Sequence, residues 1–245
     1  MGRAFELRKG RKLKRWSKMA KTFSRIGKDI VMAIKEGGPE PESNARLRAV
    51  IQNAKAANMP KEIVDRAIKK AKDKDTSDYK EVNFEGYGPH GIAIMIETAT
   101  DNNNRTVASV RSIFSKNGGN MGTTGSVEFM FERKCHFKIP MNDLDPEELE
   151  FELIDAGIDE LFGEEPDEDA EDQTSTIMIY GPFESFGSIQ KALEDKKLEI
   201  VESGFERIPL NTKTLSEAEL EDVEKLLEKL EENDDVQQVY HTMEE

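Results

Sequence analysis

Apolar residues recur along the chain with two different periods, and the change of period divides it. Phe23, Ile26, Ile30 and Ile34 fall three or four apart, which predicts a helix that ends at the Gly37-Gly38-Pro39 breaker. A second helix from about Asn44 gathers Leu47, Val50, Ile51 and Ala54 on one face and leaves Arg46, Arg48 and Lys55 to the others. Pro60 suits the first position of a third helix, striped by Ile63, Ala67, Ile68 and Ala71. Three such stripes can close a small bundle.

Beyond the polar stretch 73–78 the pattern becomes that of strands. The run 91–97 predicts a strand, followed by a helix carrying Val107, Val110 and Phe114, a stop at Asn117-Gly118-Gly119, and a strand over 127–131. A second α/β unit starts near Cys135 in the order βαββαβ, with strand 176–180, helix 183–194 and a last strand after it. Its first helix is signposted by Asp145 as cap, Pro146 in the first turn, Glu148 and a terminal Gly157. A final βαβ follows: strand 205–210, a helix capped by Ser216 and Glu219 with Leu220, Val223, Leu227 and Leu230 inward, and strand 236–241. Neither outer βαβ has enough strands to stand alone, so the two are expected to share one sheet. The expected fold class is α+β: an N-terminal three-helix domain (1–75), then two ferredoxin-like α/β domains. One of these is discontinuous (79–133 plus 203–245), and the other (134–202) is inserted in it.

Charge sharpens this division. The net charge is −15, yet residues 1–74 hold 21 Lys or Arg against 8 Asp or Glu, a balance of +13, while the remainder holds 14 against 42, or −28. Met1 to Lys28 alone carries eleven basic residues and one acidic one, a run that repels itself unless an anion neutralises it. Phosphate binding needs several cations close enough to displace counterions together, so this is the candidate nucleic-acid site. Its residues are Arg3, Arg8, Lys9, Arg11, Lys12, Lys14, Arg15, Trp16, Lys18, Lys21 and Arg25. Arg46, Arg48 and Lys55 of the second helix extend it, with Lys61, Arg66, Lys69 and Lys70 of the third beside them. A solvated tail and an Arg-rich presequence are the rival readings of the same run.

Other motifs exclude more than they assign. Gly86-Tyr87-Gly88-Pro89-His90-Gly91 fits G-x-G-x-x-G but precedes a strand, whereas a phosphate cradle follows one and opens a helix, so it reads as a turn. The Gly-rich segment 117–126 lacks the lysine of a P-loop. It reads as a contact loop exposing Asn120, Gly122, Thr123 and Thr124, or as a plain connection. Cys135 and His136, adjacent in a strand, point to opposite faces, and with only His90 and His241 besides, no zinc set is expected. No nucleophile, base and orienting group can be assembled, and the carboxylates of 164–172 lie in a solvated run. The chain is therefore expected to be no enzyme, to need no cofactor or small-molecule substrate, to avoid membranes and to work in the cytoplasm.

Three stretches carry a family resemblance. Glu85–Gly91 leads through Asp101–Val107 to Phe114–Gly122 and Gly125-Ser126-Val127; Asn44–Arg48 leads to Asn58-Met59-Pro60; and Asp234–His241 closes the chain. On these the chain resembles the YebC/PmpR family of bacterial transcriptional regulators and a mitochondrial translational activator. The resemblance implies a helical first domain, two α/β domains with one split by the other, and nucleic-acid binding without catalysis or cofactor. The opening departs from the family's short Gly-His-Ser-Lys-Trp-like start, since here Phe5, Glu6 and Trp16 lie within a longer basic stretch. The leading function is a DNA-binding transcriptional regulator. The rivals are a ribosome- or ribosomal-RNA-associated translation factor and an acidic protein–protein adaptor.

Overall fold

The structure, a computed structural model, describes residues 3–72, 78–165 and 174–244, with side chains from Met19 onward. Three helices come first: α1 (Arg3–Gly37), α2 (Ala45–Ala56) and α3 (Lys61–Lys72). The backbone of α1 is helical from Arg3, about twenty residues earlier than the apolar spacing announces, since Lys, Arg, Leu and Ala extend a helix without needing a core stripe. Ile26, Ile30, Val31 and Ile34 pack with Leu47, Ala54, Met59 and Val64. The side chain of Asn44 caps α2 by accepting the Leu47 N–H at 3.0 Å.

Two four-stranded sheets follow. The first has the order β3-β1-β2-β8 and all its neighbours antiparallel: β1 (Lys80–Tyr87), β2 (Ala93–Thr100), β3 (Asn120–Met121) and β8 (Val236–His241). Helices α4 (Asn103–Lys116) and α7 (Glu217–Glu231) cover it through Val110, Phe114, Val223, Leu226 and Leu230. The second sheet, β5-β6-β4-β7, is built from β4 (Phe131–Pro140), β5 (Glu160–Glu164), β6 (Thr176–Pro182) and β7 (Glu202–Pro209). It carries α5 (Pro146–Leu153) and α6 (Phe186–Asp195), so its chain order is βαββαβ.

Three details differ from the sequence reading. The strand expected over 127–131 is a 3-10 turn at Glu128–Met130, and a single long strand begins at Phe131. The strands expected before 202 and at 205–210 are one strand, β7, which pairs with β4 in the inserted sheet and not in the outer one. The chain thus crosses from one sheet to the other at 130–131 and returns after 209. The place that β7 leaves vacant in the outer sheet is filled by β1, a strand the hydrophobic pattern does not announce. Glu81, Glu85 and Asn83 interrupt its alternation, yet Phe84, Glu85 and Gly86 are buried. The outer sheet is therefore a ferredoxin-like sheet in which the strand next to the helix crossovers comes from the start of the unit instead of its middle.

The three parts are joined by specific contacts. Lys28 of α1 is buried and donates to Ala99 O at 3.0 Å, Asp234 O at 2.6 Å and the Asp235 carboxylate at 3.3 Å. Asp235 also accepts from Arg105 at 2.9 Å and Thr106 at 2.8 Å. Burial acts to raise its pKa, but the Arg105 and Thr106 hydrogen bonds and the Lys28 charge outweigh burial and hold it below the usual range. On the other side, Asn53 of α2 pairs with the outer edge of β7, donating to Ser203 O at 2.6 Å and accepting from Ser203 N at 2.9 Å. Ala49 enters the core of the inserted unit. The two sheets meet through Met95, Val127 and Phe131, the Arg207–Glu97 ion pair at 2.8 Å and the Tyr240 hydroxyl on Phe205 O.

Two predictions follow from these joints. Asp235→Ala leaves Lys28 buried without its counter-ion and should lower unfolding stability by about 3–5 kcal/mol in urea titration. Asp29, beside Gln237 at the same joint, has its pKa raised to about 7 by burial, opposed by Arg46 and reinforced by Glu81. Its folded pKa lies above the unfolded one, so its contribution is fully present below about pH 4 and is lost as pH rises through about 7. Asp29→Asn should flatten the stability–pH curve across that window and exceed the parent at pH ~8 by about 2–4 kcal/mol.

Candidate nucleic-acid interface

The basic stretch that opens the chain lies on the N-terminal half of α1. The side chains of Arg3, Arg8, Lys9, Arg11, Lys12, Lys14, Arg15, Trp16 and Lys18 lie outside the described residues. Their positions on a continuous helix are defined by the backbone: 8, 11, 15 and 18 recur at three- and four-residue steps and fall on one stripe. Sixteen residues of helix, from 3 to 18, span about 24 Å, several phosphate spacings along a nucleic-acid backbone.

Further along, the structure separates cations that hold the fold together from cations facing water. Arg25 donates to Val236 O and Glu231 O, both at 3.1 Å, and so fastens α1 to the turn between α7 and β8. Lys21 is half-buried and lowers the pKa of Glu232 through its charge, after the larger effect of Lys229. Arg46 bridges Glu36 and Glu81. Arg48 donates to Glu194 at 3.1 Å and to the carbonyls of Pro41 and Glu42. These side chains have partners within the protein, and through Glu81, Glu194 and Val236 O they tie the helical bundle to the α/β units. Lys55 differs: its pair with Glu199 at 3.0 Å is on the surface, and Lys55 itself is 81% exposed, so solvent screens the pair and an external anion can compete for it. Lys61, Arg66 and Lys69 of α3 are exposed as well.

The Gly-rich segment is not a slack connection. Asn120 pairs with Tyr87 in the short β3, and Gly122 donates to Glu85 O at 2.7 Å. The buried carboxylate of Glu85 then accepts three backbone N–H groups: Gly125 at 2.6 Å, Val127 at 2.7 Å and Glu128 at 2.9 Å. Burial raises its pKa, and the bonds from Val127, Gly125 and Glu128 with the Arg207 charge more than reverse this, leaving it low. Glycine is required where backbones meet: a Cβ on Gly119 would stand 2.8 Å from Tyr87 O, and Gly125 has φ +84°. The outcome is a loop whose base is clamped and whose tip, Thr123 and Thr124, is exposed beside Asn120. Sequence reading missed Glu85, because a carboxylate in a strand gives no sign of the N–H groups that tertiary folding brings to it.

Elsewhere the chemistry is quiet. Gly86 and Tyr87 end β1, and Gly88–Ile92 form the β1–β2 turn, with His90 at φ 59° and Gly91 at φ +77°. Cys135 is in the core, its thiol pushed up to about 11 by burial, while His136 is on the opposite sheet face. Among the described residues no three His, Cys, Asp or Glu side chains are placed to hold a metal ion, and no helix is long and apolar enough to cross a membrane.

Glu85→Gln keeps the shape of the clamp but replaces its charge with a neutral amide. Amide hydrogen exchange at Gly125, Val127 and Glu128 should accelerate by about tenfold or more, and unchanged protection would show that the loop holds itself. Because the Glu85 pKa is lowered, the clamp's contribution is present above the ordinary carboxylate pKa and fades as pH falls through the lowered value.

Comparison with known proteins agrees along the chain. Residues 3–74 match the family model described as the TACO1/YebC protein N-terminal domain, and residues 79–243 match that of the TACO1/YebC second and third domain. A probable transcriptional regulatory protein of Flavobacterium psychrophilum is 68% identical over the whole of both chains. One from Porphyromonas gingivalis is 55% identical over 100% of this chain and 98% of its own. The crystal structure of a conserved hypothetical protein from Aquifex aeolicus superimposes with a TM-score of 0.75 at 38% identity, covering 92% of this chain and 90% of that one. With helical bundle and both sheets matched in this way, the chain belongs to the TACO1/YebC family.

Proposed function

We propose that the protein regulates gene expression by binding nucleic acid, first of all DNA as a transcriptional regulator, and that it acts by binding and not by catalysis. The observation that carries this reading is the distribution of cations. Residues 1–28 hold eleven of them against one acid; of these, Arg25 and Lys28, like Arg46 and Arg48 further on, have partners within the protein. The concentrated charge of the N-terminal half of α1 suits the displacement of counterions from a phosphate backbone, and Lys55 and the exposed cations of α3 add to the positive charge of the domain. The similarity to probable transcriptional regulatory proteins of Flavobacterium and Porphyromonas supports a transcriptional role. Few groups in this set read base edges, so affinity is expected to depend weakly on sequence.

The clamped Gly-rich loop favours a second reading. An exposed tip of small and hydroxyl-bearing residues on a clamped base, presented by the same molecule as a polycationic helix, suits a translation factor that holds ribosomal RNA with α1 and reaches a confined site with Thr123 and Thr124. Sedimentation of a cell lysate separates the two. Salt-sensitive migration with large ribosomal subunits supports translation, and recovery with chromosomal DNA alone supports transcription.

Charge reversal at Arg11, Lys12, Lys14 and Arg15 together should weaken binding to all sequences and flatten the dependence of log affinity on log salt by about one unit per lost phosphate contact. Arg48→Ala should leave that slope unchanged, since its partners are within the protein. A slope unaltered by the quadruple variant would remove α1 from the interface.

A further inference from the structure

The sheet of the inserted unit has one face against its helices and one turned away from them. The inner face carries Cys135, Phe137, Ile177 and Ile179. On the outer face, register sets His136 of β4 opposite Tyr180 of β6 and Gly204 of β7, and Met178 opposite Phe162 of β5. The rings form a strip: Phe162 stacks on Tyr180 at 6.0 Å and 16°, and His136 follows at 6.2 Å. Gly204 leaves room for the imidazole, because a Cβ there would lie 3.1 Å from His136 Cε1. None of the three rings joins an apolar core, and Phe162 is 41% exposed.

Aromatic strips on open sheets suit the faces of unpaired bases, but the charges around this one oppose a phosphate backbone. Glu160, Glu164, Glu202 and Glu206 surround the rings on the same face, with Glu202 and Glu206 flanking His136 at 3.9 and 3.6 Å, Glu164 paired with Lys138, and Glu160 on the β5 side. The lysines of that face, Lys134 and Lys138, are already held by Asp159 at 3.3 Å and Glu164 at 2.6 Å. Rings bordered by carboxylates attract the reverse charge: a guanidinium can stack on the ring face while a carboxylate takes its N–H groups in pairs.

We propose that the open face of the inserted sheet, centred on Phe162 and Tyr180, docks an arginine-bearing basic polypeptide segment of a protein partner. The inference is independent of the reading of α1, since it concerns the opposite end of the charge distribution and a different class of ligand. It makes the protein a two-sided binder, with phosphate at the basic helix and cationic peptide at the acidic sheet.

The test titrates octa-arginine into the full chain at about 150 mM salt, read by calorimetry. Phe162→Ala with Tyr180→Leu should lower affinity by about tenfold or more, Tyr180→Phe should retain it, and Glu147→Gln with Glu150→Gln on α5 should change it by less than about twofold. Equal losses in the ring and α5 variants would reduce the effect to general acidity and overturn the proposal, as would a ring variant that binds like the parent. An oligouridine whose affinity falls in the ring variant while octa-arginine is unaffected overturns it in favour of nucleic acid. A peptide-free dimer in sedimentation, abolished by the ring variant, overturns it in favour of a second copy. If the ring variant melts early, Glu160→Gln with Glu202→Gln, which leaves the rings in place, decides by the same tenfold criterion.

Discussion

One buried carboxylate organises the joint on which the arrangement of the molecule rests. Asp235, at the start of β8, takes hydrogen bonds from Arg105 and Thr106 of its own unit and the ammonium of Lys28 from the helical bundle. A buried lysine is tolerated only where counter-charge and carbonyls meet it, and here Ala99 O, Asp234 O and Asp235 do so together. The ion pair gives no guarantee of net stability, but it ties the position of α1 to the β2 and β8 ends, because Lys28 meets its carbonyls and carboxylate together there. Arg25 and Gln237 repeat the same message one turn away.

A second joint solves a problem of the inserted sheet. β7 is an outer strand, and its free edge would invite another strand. Asn53 answers Ser203 with both ends of its amide, in the way a neighbouring strand would, and Arg48 and Lys55 add ion pairs to Glu194 and Glu199. The helical bundle thereby contacts both sheets, while Arg207 and Tyr240 connect the sheets to each other. The charge asymmetry has two sides: part of the positive charge of the first domain holds the acidic units, and its densest basic run lies toward the N-terminus.

Charge alone does not separate cations with partners inside the protein from cations that face water. Arg46 and Arg48 are as basic in sequence as Arg11 or Arg15, and nothing in their spacing distinguishes an anchor from a phosphate contact. The distinction arises from Glu81 and Glu194, thirty-five and 146 residues away. Glu85 is the converse case, an acid given no role by its local sequence, whose carboxylate clamps the Gly-rich loop.

Local chemistry was enough to determine the helices, their caps and breakers, the α+β class and the opposition of a basic beginning to an acidic remainder. Apolar period, Asn44, Asp145 and the Gly37-Gly38-Pro39 stop act within a few residues of one another, so the chain displays them directly. Only the tertiary structure decided that β7 leaves the outer sheet, that the interrupted pattern of β1 is a buried strand, and which cations face inward. Strand partnership and ion pairing are choices between distant segments, made by which edges and charges are left unsatisfied once the helices have packed, and a one-dimensional pattern carries no record of that competition.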